Sequence, residues 1–291
     1  MPRCNVVIIE EDAMSAIKSI LVHLDASTRC ESRLQTALRI ARQHGAELKA
    51  LYCVVPQVLQ MPSVAAANAL LLEELSAADD ARRFAVRTMF DRAVATESLP
   101  VSWLGPVEEL SVRNFARYAL YADLVVLGQR EQNDWFERSV PGDFVQSVLL
   151  DTGKPVLVVP YIGGQAELGR TVMIAWKESR ETARAVAAAL PMLRKAEQVH
   201  IATWGNEQVP EGRRLVDLQK YLGQHGVQAT LHRYGEETDC IGEYILSAAA
   251  DLGADMLLMG AYSHSRAREW VLGGATRTIL ESMSLPVLMS H

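Results

Sequence analysis

The sequence predicts an α/β protein made of two tandem repeats, each an open five-stranded, mostly parallel sheet with helices on both faces. Three observations carry this expectation. Short hydrophobic runs alternate with longer segments whose apolar residues recur at helical spacing. The runs are continuously apolar, as in strands covered on both faces. The order also recurs, since "YADLVVLGQ" through "TGKPVLVVP" matches "GADMLLMGA" through "MSLPVLMSH".

In the first repeat, "SILVHLD" reads as a strand and "ESRLQTALRIARQHG" as a helix stopped by Gly45. "AELKALYCVV" is the second strand. The stretch from Pro56 to Ser76 is an apolar, alanine-rich insert that leads into a charged helix through "ELSAADDARRFAVRTMFDRAVA". "VSWL", the helix "VEELSVRNFARYALYA", "DLVVLG", the helix "DFVQSVLLD" and "KPVLVVP" complete the repeat. The plan restarts with "RTVMIAW", the helix "SRETARAVAAALPMLRKA", "EQVHIATW", the helix "GRRLVDLQKYLGQHG" and "VQATLHRYG". It ends with the helix "CIGEYILSAAADLGA", "DMLLMG", the helix "ATRTILESM" and "LPVLMSH". Glycines near "YIGGQAELG" mark the join, so the expected domains are 1–160, carrying the insert at 56–76, and 170–291.

A net charge of -6 supplies no excess of Lys and Arg for a general nucleic-acid binder. No apolar run is long enough to span a bilayer. In "MPRCNVVIIEEDAMSA" the acidic Glu10, Glu11 and Asp12 directly follow a brief apolar run, which does not read as a signal peptide. A cytoplasmic protein is expected. Cys4, Cys30, Cys53 and Cys240 lack metal-ligand or C-x-x-C spacing and read as reduced structural thiols.

The stretch "MGAYSHSRAREWVLGGATRTIL" has the layout of an anion site: a strand ending at Gly260, a polar loop, and the start of a helix whose first N–H groups lack partners. Gly260 is expected to permit a tight turn. Ser263, His264 and Ser265 could hydrogen-bond an anion, and Arg266 and Arg268 could neutralise it; a solvated basic loop is the alternative. Gly273 and Gly274 close the loop. Asp25, at the end of the first strand, is read either as a ligand contact or as a helix N-cap, with Ser27 as a second capping candidate.

The segment "ILVHLDAS" followed by a helix, and the loop from "MGAYSHS" to "LGGATRTIL", resemble the universal stress protein family in a tandem two-domain form. The resemblance covers nearly all of both repeats and implies the adenine nucleotide alpha hydrolase-like fold. It implies that a strand-end Asp lies near adenine and ribose, while a G-x-x-G, nine residues, G-[ST] loop wraps the phosphates of ATP. Another branch of the family lacks the full loop and does not bind ATP. In the second repeat the loop positions are Gly260, Ser263, Gly273 and Gly274, with Thr276 as a substitute hydroxyl and Lys177 in place of the strand-end acid. Ser263 and Gly274 depart from the pattern, and Lys177 cannot accept a hydrogen bond from a ribose. The first repeat keeps Asp25 and Ser27 but has Glu131, Pro141 and Gly142 in its loop, and no triphosphate is expected there. The resemblance also implies that the final strands of the two repeats pair about a two-fold axis.

No catalytic motif is present: there is no G-x-S-x-G, H-E-x-x-H or P-loop, and no metal-ligand set. The expected protein is a stress-response module that binds a small ligand, an adenine nucleotide such as ATP in the second repeat being the candidate cofactor. A homodimer and a regulatory protein partner are expected. The alternatives are a nucleotide-independent interaction scaffold and a slow ATP hydrolase. Trp135 and Phe136 are read as a packed lid or an exposed partner surface, and Trp270, Val271 and Leu272 as packing. The insert is read as a cover for the first cleft or a dimer contact.

Overall fold

The computed structural model describes residues 16–60, 69–105, 112–131, 139–162, 168–205, 216–235, 240–262 and 274–291. The first repeat contributes β1 (Ser19–Leu24), α1 (Cys30–His44), β2 (Glu47–Tyr52), α2 (Gln57–Gln60), α3 (Ala69–Val94), β3 (Val101–Leu104), α4 (Val112–Ala119), β4 (Leu124–Gly128), α5 (Phe144–Thr152) and β5 (Val156–Val159). The second contributes β6 (Thr171–Ala175), α6 (Arg180–Leu193), β7 (Gln198–Trp204), α7 (Val216–Gln224), β8 (Thr230–Tyr234), α8 (Ile241–Asp251), β9 (Met256–Gly260), α9 (Ala275–Ser282) and β10 (Val287–Ser290). α3 starts five residues before the charged helix expected at Glu74, because the apolar "ALLLE" stretch continues the helix. The described part of the insert packs on that helix, where Asp79 accepts from the Gln57 N–H at 2.9 Å.

All ten strands form one sheet in the order β3-β2-β1-β4-β5-β10-β9-β6-β7-β8. Each half is parallel, and β5 meets β10 antiparallel, with Leu157 opposite Leu288. This is the pairing of final strands that the family resemblance implied, and it merges the two sheets into a single core. Ile20, Val22, Val172 and Ile174 face one layer, lined by α1, α3, α6 and α7; Leu21, Val125, Met173 and Leu257 face the other, lined by α4, α5, α8 and α9. The central strands are buried on both faces, which is why their sequences do not alternate.

Local signals explain the ends of several elements. Gly45 ends α1 in the left-handed conformation, φ 60°, where a Cβ would be strained. Ser179 caps α6, accepting from the Thr182 N–H. Asp123 and Asp255 open β4 and β9, and their carboxylates accept from backbone N–H groups at the start of the neighbouring strands: Lys18 and Ser19 in one repeat, Gly169, Arg170 and Thr171 in the other. Each aspartate thereby satisfies donors that the parallel ladder leaves unpaired at a sheet end. Among the described residues, no helix is long and apolar enough to cross a membrane.

Candidate functional site

In both repeats the strand order switches between the first and fourth strands, so the clefts lie beyond the carboxyl ends of β1 and β4 and of β6 and β9. The strand registers make the two clefts comparable position by position. Ile20 pairs with Leu124 as Val172 pairs with Met256, and Gly128 pairs with Val159 as Gly260 pairs with Ser290. Asp25 therefore corresponds to Lys177, His23 to Ala175, Gln129 to Ala261 and Arg130 to Tyr262.

The first cleft is occupied by the protein's own side chains. Arg33, on the first turns of α1, is 3% exposed, and its Nη2 donates to both oxygens of Asp25 at 2.9 Å. Its Nη1 approaches His23 Nδ1 at 2.8 Å, while His23 Nε2 lies 2.7 Å from the Cys53 carbonyl. Guanidinium can only donate and carbonyl can only accept, so the imidazole is the neutral tautomer with its proton on Nε2. Burial, reinforced by the Arg33 charge and only partly opposed by Asp25, holds its pKa down at about 4. The 3.7 Å approach of His23 to Asp25 is thus not an ion pair. Burial alone would raise the Asp25 carboxyl, but Arg33, His23 and the Ser27 hydroxyl outweigh it and hold it at about 2.

Asp25 does not cap α1. The N-cap is Arg29, without a side-chain cap bond, and Asp25 instead accepts from the Ser27 N–H at 3.0 Å and the Ser27 hydroxyl at 2.5 Å. Two residues of loop separate Ser27 from the helix, and neither candidate side chain bonds its first-turn N–H groups; both meet the Arg33 guanidinium instead. With both oxygens committed to Arg33 and Ser27, Asp25 is an internal counter-ion. Arg130 lies against Gly142, where a Cβ would collide with its guanidinium. Phe144 packs on His23, with ring centroids 4.6 Å apart. What remains is a cavity of about 60 Å³ lined by His23, Asp25, Arg33, Arg130 and Glu131 among others.

The second cleft has small groups at the same positions: Ala175 replaces the imidazole and Ala261 replaces Gln129. Lys177 is exposed at its rim. Gly260 has no positive φ; the left-handed residue after β9 is Tyr262. Position 260 requires glycine because a Cβ there would sit 2.6 Å from the Thr182 backbone nitrogen, so β9 abuts the first turn of α6. Gly274 caps α9 in extended geometry, with no side-chain cap hydrogen bond among the described residues. Thr276 is buried, and its hydroxyl accepts from the Tyr262 N–H at 3.3 Å. Tyr262 itself has φ 54°, a left-handed conformation that costs a tyrosine about 1–2 kcal/mol. Ser263, His264, Ser265, Arg266, Arg268, Trp270, Val271, Leu272 and Gly273 lie outside the described residues, as do Trp135, Phe136 and Cys4.

Two contributors were not singled out in the sequence. Glu181, in the first turn of α6, is buried; burial raises its carboxyl, but bonds from Arg180 and Ser179 bring it below the usual range. Gln129 donates to the carbonyls of Leu280 and Glu281 and accepts from the Tyr161 N–H, tying the first loop to α9 of the other repeat. Neither the Asp25–Arg33 pair, which joins a loop residue to the helix after it, nor the cross-repeat bonds of Gln129 left a distinct signal in the sequence.

The comparisons with known proteins agree with this architecture. The model of the Universal stress protein family matches residues 16–160 and 169–291. The chain is similar to universal stress protein Slr1230 of Synechocystis, at 28% identity over 176 residues, covering 57% of this chain and 57% of that protein's length. A universal stress protein from Archaeoglobus fulgidus superposes over 93% of this chain and 94% of its own, with TM-score 0.66 at 17% identity. A protein of unknown function from Pseudomonas aeruginosa superposes over 95% and 93%, with TM-score 0.61 at 16% identity. A family match across both repeats leads to one conclusion: the chain belongs to the universal stress protein family, in its tandem two-repeat form.

Proposed function

We propose that the protein is a cytoplasmic binding and regulatory module that senses an adenine nucleotide in its second repeat and works through occupancy rather than turnover. The reading rests on one contrast. The first cleft is filled by His23, Arg33, Gln129 and Arg130, while the second carries Ala175 and Ala261 in place of His23 and Gln129, Tyr262 in place of Arg130, a helix N-terminus without a side-chain cap bond and Lys177 at its rim. An open helix N-terminus favours an anion, and Lys177 supplies a point charge. In this proposal Gly260, Ser263, His264, Ser265, Gly273, Gly274 and Thr276 surround the nucleotide. For the first repeat, the filled cleft favours a nucleotide-independent, interaction-scaffold role.

Gly260 is unsuitable for testing this, because any side chain there meets the α6 backbone whether or not a ligand is present. Gly274→Asp is the cleaner variant. Its backbone, φ -63° and ψ -179°, is open to any residue, and an Asp would cap α9, stabilising the free protein by a few tenths of a kcal/mol while placing negative charge against a phosphate. Thermal unfolding with ATP or AMP, with and without Mg²⁺, should show a ligand-dependent gain of about 2.7 kcal/mol at 100 times the dissociation constant. The gain should vanish in Gly274→Asp. No gain in the parent protein, or an undiminished gain in the variant, would refute nucleotide binding in this cleft.

A homodimer of chains is part of the proposal. Leu59, Leu70 and Phe84, on α2 and α3, are 64%, 68% and 74% exposed and give an apolar face that a second copy can cover. Sedimentation equilibrium should return twice the 32.1 kDa chain mass; a monomer at micromolar concentration would remove this element.

A further inference from the structure

The C-terminal ends of α1 and α6 meet at the junction of the two repeats, at the amino-terminal end of β6 and away from the cleft beyond its carboxyl end. The Lys195 ammonium donates to the Gln43 carbonyl at this point. Beside it is a groove of about 350 Å³ lined by Arg39, Gln43, His44, Arg170, Lys195 and Glu197, with Leu168, Gly169 and Met192 completing its wall. We propose that this groove is a second ligand site, one that takes a small multivalent oxyanion such as a phosphate ester or polycarboxylate.

Three features support it. The groove's volume lies at the lower end of the range for small-molecule sites, roughly 300–1,000 Å³, and is several times the residual volume of the first cleft. Its charge opposes the rest of the chain: Arg39, Arg170 and Lys195 face a single carboxylate, Glu197, in a protein whose net charge is -6. Helix dipoles account for only part of this. A cation at the end of α1 complements its C-terminal carbonyls, but Arg170 precedes β6 and belongs to no helix; its Nε pairs with Glu197 at 2.7 Å. Two guanidinium forks and an ammonium around one concavity suit a planar or tetrahedral oxyanion.

His44 supplies an internal reporter. Burial, then the charges of Lys195 and Lys18, lower its pKa to about 4. Lys195 and Lys18 act on it directly, and Arg39, Arg170 and Glu197 line the same groove, so a bound multivalent anion should raise its titration midpoint.

Inorganic pyrophosphate titrated calorimetrically into full-length Gly274→Asp protein tests the groove while the second-repeat cleft is blocked. The expected result is saturable one-to-one binding. It should weaken at least tenfold in an added Arg39→Gln/Lys195→Gln pair and tighten severalfold in Glu197→Gln, which removes only the opposing charge. The His44 midpoint, read by NMR, should rise in the pyrophosphate-saturated protein. Absence of saturable binding, or affinities unchanged in both sets of folded variants, would overturn the proposal. Loss of ATP stabilisation in the parent protein with pyrophosphate binding intact would count against the nucleotide reading alone.

Discussion

Replacing Arg33 with Met should cost about 3–5 kcal/mol of stability, the usual penalty for leaving one member of a buried ion pair without its partner. Arg33 and Asp25 are 3% and 7% exposed, and the guanidinium is the principal group holding the carboxyl in its charged form. Methionine approximates the length of the Arg stem, so the loss measures mainly the stranded charge. The companion variant is Asp25→Asn in the Arg33→Met background. Removing the charge should recover most of the loss, because an amide can still accept from Ser27. Urea unfolding of the four proteins in this cycle gives the coupling energy. A loss below 1 kcal/mol in Arg33→Met, or no recovery in the double variant, would mean that the first cleft is not held shut by this pair.

Acidification should destabilise the protein in two separable steps. His23 is neutral in the fold, with its pKa lowered from 6.5 to about 4. Between those values the unfolded chain takes up a proton that the folded chain refuses, so stability falls as pH falls. From pH 7 to 4.5 this amounts to about 2–3 kcal/mol. His44 acts in the same window and the same direction, with a smaller share because it is less buried. Asp25 then contributes between its ordinary value and about 2: its stabilisation is full above pH 3.8 and disappears as the folded carboxyl protonates. His23→Gln keeps an N–H for the Cys53 carbonyl and an acceptor for Arg33 but does not titrate. Its stability should decline much less between pH 7 and 4.5. Equal slopes in the two proteins would show that His23 is not the group responsible.

The fold was legible in the sequence because parallel strands buried on both faces leave uninterrupted apolar runs, and because each run occurs twice. "DLVVLG" and "DMLLMG" even retain the aspartate that pins the adjacent strand, although its role became clear only when its carboxylate was seen to accept three backbone donors around Gly169 to Thr171. The clefts were less legible. Glycine signals both turns and close approaches, and the close approach of Gly260 to the Thr182 nitrogen has no mark of its own in the sequence. Asp25 was read as a cap or a ligand contact. Its actual partner lies eight residues away on α1, and an acidic residue just before a helix looks the same in sequence whether it faces the helix N-terminus or a buried guanidinium.

These corrections sharpen the division between the repeats. In the first, Arg33 supplies a buried cation, Asp25 its anion, and Phe144 packs at a tilt against His23. The second has Ala175 and Ala261 where His23 and Gln129 stand, and Lys177 in place of Asp25. On the proposed function, the first half is a fixed scaffold joined through β5 and β10 to a responsive second half.

The most direct test of that division is an amide NMR titration with ATP. The account predicts shift changes concentrated at Lys177, Gly260, Tyr262, Gly274 and Thr276, with Asp25, Gly128 and Gly142 unmoved. Changes centred on Asp25, Gly128 and Gly142 instead would contradict it, placing the ligand in the half described here as filled.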